Sequence, residues 1–587
     1  MRKSSILTCL CFTFLILFGW NKSVNAQAYH DSDKEGLRNL LRQKSEVTGA
    51  SNLNLLGINA SDTVSWYSSE DWVEKISAYK GVVLIDWEWN INSPSRLVRF
   101  ELKDISVYNV TTANKLSGDF DCSYFGELVY LNCSGSNFQS LNVNANSKLK
   151  ELKCSSNDLN VLDLSSNADL RYLDCSDNKI SVLSVSGNTK LTNLSCSKNK
   201  ISNLDVSNNS LLTTLACGSN QISALNLSNN KDLQLLACSD NDIAELNVSQ
   251  NTKLISLYCS GNIIVGNKLT MGTNKNLEVL DCSDNQLAGL SVSQLQGLKY
   301  LWCNNNKLMS GLNVSQNLNL ESLSCSGNEL SALNLTANTA LLKLNCANNK
   351  LVTLNLFNNK NLNNLDCANN KLTSILMDNS ETLYRSLVCN NNLLKFTSIP
   401  TFNNSFYWQL VYAPQDTIEG GEVYANTEID LSEEYSVEGN ITSYQWHKEG
   451  TSEAVTVTEM EDGVFKISND YMNQKLVCQM DNALYPDLTL VYRIKLLPDT
   501  IVGIDDKQQN IGISVYPNPV DDILFINSNE DITGINIFTP TGVLIKSISL
   551  NEFNKENIKV NDLQSGIYVI KVTTLSGKSY IQKIKKN

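Results

Sequence analysis

Thirteen cysteines between Cys133 and Cys389 recur at near-constant spacing, and that spacing decides what the chain can fold into. The first seven, at 133, 154, 175, 196, 217, 238 and 259, stand 21 residues apart. The later steps, to 282, 303, 325, 346, 367 and 389, are 23, 21, 22, 21, 21 and 22. The surrounding frame reads L-x-x-L-x-C-S-x-N, and one unit holds the phrase twice: Ile180-x-x-Leu183-x-Val185-x-x-Asn188 echoes Leu170-x-x-Leu173-x-Cys175-x-x-Asn178. A fixed period just above twenty marks a solenoid, whose coils bury their apolar side only by stacking on one another. Each coil is expected to hold two short extended runs and two Asn turns.

Alternation along the first run points Leu173 and Cys175 into the coil, so the cysteine reads as a small buried hydrophobe. Strand spacing of about 4.8 Å between coils exceeds the Cβ separation of about 3.8 Å that a disulfide prefers. An odd number of ladder cysteines also prevents complete pairing. A reduced ladder is the expectation, with a disulfide ladder as the alternative. Asn follows the cysteine by three residues in twelve of the thirteen repeats, Ser136 being the exception. An inward amide there can satisfy backbone groups of its own and the next coil. Calcium binding is the functional alternative, but the turns lack a spaced carboxylate set with a bidentate Glu. No proline occurs between Pro94 and Pro400, as stacked strands require.

The repeat resembles the leucine-rich-repeat superfamily, most closely its 21-residue nested class LxxLxCxxNxLxxLxLxxN. The resemblance implies a mainly β chain: a solenoid over 116–400 with an N-terminal cap over 27–115. Within that cap, Ser32-x-x-Glu35 reads as a capping box before a helical face of Leu37, Leu40 and Leu41. Trp66, Trp72, Trp87 and Trp89 among Val82, Val83, Leu84 and Ile85 suggest strands that close the open end of the stack. Phe120-Asp121-Cys122 begins half a repeat, 11 residues before Cys133.

Export is written at both ends. Arg2 and Lys3, the apolar run Ile6 to Phe18 and Val24-Asn25-Ala26 read as a signal peptide over 1–26. Without it, 44 basic face 60 acidic residues, a net charge of -16 that disfavours nucleic acid and anionic lipid. No later run is long and apolar enough for a transmembrane segment. After Pro400, alternating runs around Trp446 and Cys478 resemble an immunoglobulin-like sandwich over 405–497, though a partner cysteine and a Tyr two residues before Cys478 are absent. A polar linker, 498–512, follows.

Over 513–587, Val515-Tyr516-Pro517-Asn518-Pro519, Ile535-x-Ile537-x-x-x-x-Gly542, Leu563-x-Ser565-Gly566-Ile567-Tyr568 and a basic end resemble a type A sorting domain of the type IX secretion system. The resemblance implies a small C-terminal β-sandwich, partners in the type IX machinery, an outer cell-surface destination and a lipopolysaccharide anchor. The proline pair is expected to set an entry turn, and Gly542 and Gly566 to allow turns between strands. Asp62-Thr63-Val64, Asp416-Thr417-Ile418 and Asp499-Thr500-Ile501 resemble a short O-glycosylation motif, which makes Thr63, Thr417 and Thr500 candidate acceptors.

Catalytic chemistry finds little support. The two histidines, His30 and His447, lie in different regions, and inward thiols offer neither a base nor an open metal site. Asp174 with Asp177 and Asp281 with Asp284 could approach each other within single coils, but they read as turn residues. No cofactor is expected. Outward strand positions instead gather Tyr258, Asp281, Tyr300 and Trp302 into a patch about 10 Å across, with Tyr172 and Asp174, and Tyr130 with Asn132, as a weaker second cluster. Exposed aromatics beside a carboxylate suit a glycan or protein ligand. The expected function is recognition or adhesion at the cell surface. The alternatives are a structural surface or matrix component and, third, a hydrolase in the cap or sandwich.

Overall fold

The inward leucine and cysteine of each repeat are buried, and the residues beside them are not, so the three-residue strands alternate in the pattern the spacing predicts. The computed structural model describes residues 31–43, 85–89, 97–102, 116–309, 311–377, 385–400, 409–499, 513–540, 543–576 and 578–587. The signal peptide, Trp66, Trp72, Val82, Val83, Leu84, Thr63, Thr500, Gly542 and most of the linker lie outside them. One unit ends at Asp416 and takes in Leu484–Leu490; the other holds the remaining chain.

In the first unit a sixteen-stranded sheet runs from Ile85–Trp89 to Gln409–Val411. Its first pair, Ile85–Trp89 with Leu97–Leu102, is antiparallel, and the next strand, Tyr130–Asn132, joins in parallel. The sheet thus runs past both limits of the expected 116–400 solenoid. The helix Asp31–Arg42 buries Leu37 and Leu40. Ser32 lies in its first turn and donates to the Tyr124 carbonyl (3.1 Å). Asp33 accepts the Leu97 N–H at 2.7 Å, tying helix to strand. Cys122 falls in the second-run column: Ser117–Asp121 pairs in parallel with Asn137–Asn142, as half a repeat should.

The second runs pair less regularly than the first. They form ladders only in places, such as Leu246–Asn247 with Leu269–Thr270 and Thr353–Asn355 with Ser374–Leu376. Elsewhere the second runs form no ladder, although their inward side chains stay buried.

The column of Asn side chains holds the stack together. Asn241 donates to the carbonyls of Cys217, Cys238 and Ser239 at 3.1, 3.1 and 3.2 Å and accepts the Ile222 N–H at 2.9 Å. The bridge therefore runs to the preceding coil, not to the next. A second column bridges through its amide N–H groups alone: Asn167 donates to the Val143 and Asn146 carbonyls, and its buried Oδ1 accepts nothing. At the C-terminal end Gln415 stands in for Asn. Its Oε1 accepts the N–H groups of Asn392 and Leu394, its amide donates to the Cys389 carbonyl, and Tyr412 fills the cysteine slot. Tyr485 then stacks on Phe396 (5.8 Å between ring centroids), meets Tyr412 edge-on and donates to the Ile399 carbonyl.

Between cysteine and Asn the backbone is left-handed in every coil, with φ from 51° to 72° across Gly135, Ser156, Asp177, Lys198, Ser219, Asp240, Gly261, Asp284, Asn305, Gly327, Asn348, Asn369 and Asn391. Gly, Asn and Asp tolerate that conformation and other side chains strain in it. Asp177 and Asp284 are thereby accounted for as turn residues. Ser156, Ser219 and Lys198 fall outside that group, and exposed Lys198, at φ 54°, is the bulkiest of them. Lys198→Gly is expected to stabilise the solenoid by about 1 kcal/mol in urea unfolding followed by circular dichroism, the relief of left-handed strain outweighing the added freedom of the unfolded chain.

In the second unit, the sheet of Ile418–Tyr424, Thr489–Leu497, Lys475–Asp481 and Ser443–Lys448 accompanies one of Glu428–Asp430, Val464–Ile467 and Val457–Glu461. Trp446 is buried opposite Cys478 on the neighbouring strand and meets Phe465 of the other sheet at 5.9 Å, so the two sheets share a core. The tail is not two separate sheets. Its strands Ile513–Tyr516, Ile523–Phe538, Leu544–Lys559, Gly566–Thr574 and Ser579–Lys586 form one sheet, and irregular register between Asn527 and Ile532 lets both halves of the long second strand feed one core. Pro517 and Pro519 bracket Asn518, which donates to the Lys583 carbonyl and accepts the Lys585 N–H, both at 2.8 Å. Gly566 is not a turn residue: it opens a strand opposite Lys586. Tyr568 packs on the core and donates to the Gln564 carbonyl.

Candidate functional site

Strand pairing sets the outward residues in straight rows. Tyr258 is in register with Asp281, and Asp281 with Trp302, on three successive strands. Tyr300 lies in the parallel row with Ser256 and Val279 and stacks on Trp302, with centroids 6.2 Å apart and planes at 25°. The four residues expected to form a patch are brought together, each half-buried.

Three neighbours escape a reading of the sequence. The Tyr300 hydroxyl donates to Glu321 at 2.9 Å, which, with partial burial, raises its pKa. Glu321 lies one repeat beyond Tyr300, a spacing that signals the contact only once the register is known. Exposed Ile255 and half-buried Leu235 extend the apolar surface beside Ala237, which is in register with Tyr258. Asp281 accepts the Ser283 N–H at 3.1 Å, and Lys299 is held by Glu278 at 3.0 Å.

The second cluster is built differently from expectation. Tyr130, Glu151 and Tyr172 form one row on three successive strands. The Lys153 ammonium lies 5.5 Å from the Tyr130 ring centroid, 5.2 Å from that of Tyr172 and 2.9 Å from Glu151. Partial burial alone would lower the Lys153 pKa, but the bond to Glu151 overrides it and the pKa is raised. The Arg99 guanidinium covers Tyr130 at 3.5 Å. Asn132 donates to Glu101, and Asp174 turns to the Ser176 N–H and hydroxyl. This end of the face is occupied by the chain's own groups.

The ladder cysteines are free and buried. Burial pushes the thiols of Cys133, Cys217, Cys325 and Cys389 up to about 12, so at neutral pH they carry neither nucleophile nor metal-binding thiolate. Among the described residues no three His, Cys, Asp or Glu side chains are grouped to hold a metal ion. Thr417 lies half-buried, immediately before the strand Ile418–Tyr424.

Residues 275–317, which carry Asp281, Tyr300 and Trp302, match the family model described as leucine-rich repeats in two copies. The solenoid is a leucine-rich-repeat array. It is similar to the functional domain of InlJ from Listeria monocytogenes, whose structure is described as including a cysteine ladder: 28% identity, TM-score 0.52, 64% of this chain and 90% of that one. The PEPR1–AtPEP1 crystal structure shares the fold, with 18% identity, TM-score 0.52 and 67% and 60% of the two chains covered. Residues 514–587 match the secretion system C-terminal sorting domain, which marks the leucine-rich-repeat chain for type IX export to the cell surface. The curated protein named ulvan lyase NLR42, from Nonlabens ulvanivorans, is 27% identical over 139 residues, 23% of this chain and 26% of that protein, so the chain spans about a quarter of that relative's length. No described helix is long and apolar enough to cross a membrane.

Proposed function

We propose that the chain is a surface-displayed recognition protein, not a catalyst, whose leucine-rich-repeat sheet binds a protein or glycan on the face bearing Tyr258, Asp281, Tyr300 and Trp302. The carrying observation is the stacked aromatic pair in register with a carboxylate on rigid strands, a composition typical of binding hot spots. The sandwich, read as immunoglobulin-like, serves as a spacer, and lipopolysaccharide as the anchor after sorting. Thr63, Thr417 and Thr500 remain the candidate O-glycosylation positions.

Tyr258→Ala, Tyr300→Ala and Trp302→Ala combined are expected to abolish adhesion to glycan and host-protein arrays while leaving the circular dichroism spectrum intact. Unchanged adhesion would remove this face from the proposal. The partial likeness to an ulvan lyase motivates one second reading, catalysis in the N-terminal region or the sandwich, which release of reducing sugar from a polysaccharide panel would support.

A further inference from the structure

We infer that the row Tyr258, Asp281, Trp302 receives a lysine or arginine side chain of a protein partner, set between the two aromatic rings and against the Asp281 carboxylate. The inference rests on the proposed recognition role and names the chemistry of its partner.

The outward face carries the same pattern twice. Tyr130, Glu151 and Tyr172 stand in register on three successive strands as aromatic, carboxylate, aromatic. So do Tyr258, Asp281 and Trp302. In the first row the chain supplies a cation: Lys153, two residues beyond Glu151, reaches both rings and the carboxylate. In the second row the residue two beyond the carboxylate is Ser283, which is buried and hydrogen-bonded to Asn304. Among the described residues, no lysine or arginine forms a salt bridge with Asp281 or lies over Tyr258 or Trp302.

The surroundings deepen the negative character. Tyr300 holds the Glu321 carboxylate beside the stacked rings, and the nearby Lys299 is bridged to Glu278. A cation above aromatic faces and next to a carboxylate gains from both, and more as water is excluded. A protein is favoured over a small cation because Leu235, Ala237 and Ile255 continue the surface with apolar groups, which the residues flanking a basic side chain would cover. The net charge of the whole chain, -13, adds attraction for a basic partner at long range.

The test titrates the full mature chain with fluorescent peptides that differ only at one central residue, Arg, Lys, citrulline or norleucine, flanked by leucines. Arg and Lys peptides are expected to bind about tenfold tighter than citrulline, an advantage that added salt reduces. Asp281→Asn should erase the preference without unfolding the coil, because Asn132 and Asn345 make the same turn bond at the equivalent position. Equal binding of Arg and citrulline peptides overturns the inference, as does no peptide binding or a preference that survives Asp281→Asn. Neutral oligosaccharide binding lost in Trp302→Ala and kept in Asp281→Asn would overturn it while leaving the recognition role standing. Adhesion indifferent to the triple aromatic variant would end both.

Discussion

Replacing Asn241 by Leu is expected to lower the stability of the solenoid by roughly 2–4 kcal/mol. The estimate follows from what the amide serves. Among the described residues the Ile222 N–H finds its hydrogen-bond partner in the Asn241 Oδ1, whereas the carbonyls of Cys217, Cys238 and Ser239 also accept from Asn220, Asn262 and the Ser219 N–H. Leu keeps the branching of Asn but not its polar atoms, so the buried Ile222 N–H is left unpaired and each of the three carbonyls loses one donor. Urea unfolding of the mature chain, followed by far-ultraviolet circular dichroism, measures the loss. Hydrogen exchange should show it concentrated in the coils that contain Ile222 and Asn241, since contacts in a solenoid reach only nearest neighbours. A loss under 1 kcal/mol would mean that water reaches these groups and the column is ornamental.

Deleting 513–587 is expected to abolish surface display and leave the protein in the periplasm. The tail is a folded element with its own core, in which Val520, Leu524, Ile535, Ile537, Ile570, Val572 and Ile584 are fully buried, so a sorting receptor meets a shape and not a linear peptide. Asn518→Ala should weaken display without abolishing it, because it removes both bonds to the last strand and leaves that core in place. Fractionation together with protease shaving of intact cells reads out both variants. Normal display of the truncated chain would overturn the sorting assignment.

Much of the fold is legible in the sequence because a solenoid repeats one local problem. The alternation around Leu173 and Cys175 gives the inward and outward faces, and the period gives the register that aligns Tyr258, Asp281 and Trp302. The direction of the Asn bridges is not legible, since an amide that spans two coils looks the same in sequence whichever way it reaches. The left-handed residue after each cysteine shows in the sequence only as a mixture of Asp, Asn, Gly, Ser and one Lys; once φ is known, Asp177 and Asp284 cease to look like half of an acid pair. The Lys153 bridge is illegible for a different reason. Its partners Tyr130 and Tyr172 are two coils apart, and long flexible side chains choose partners by geometry that strand alternation does not specify.

The Asn column also sets how such a molecule grows. Each coil's carbonyls are closed by an amide from the coil that follows it, and Gln415 closes the series for good. Any whole unit copied between Asn157 and Asn392 therefore arrives already fitted to both neighbours and demands no new cap. Reach is thus a variable that gene duplication can adjust in steps of about 4.8 Å, extending or shortening the arm that carries the binding face without redesign of either end.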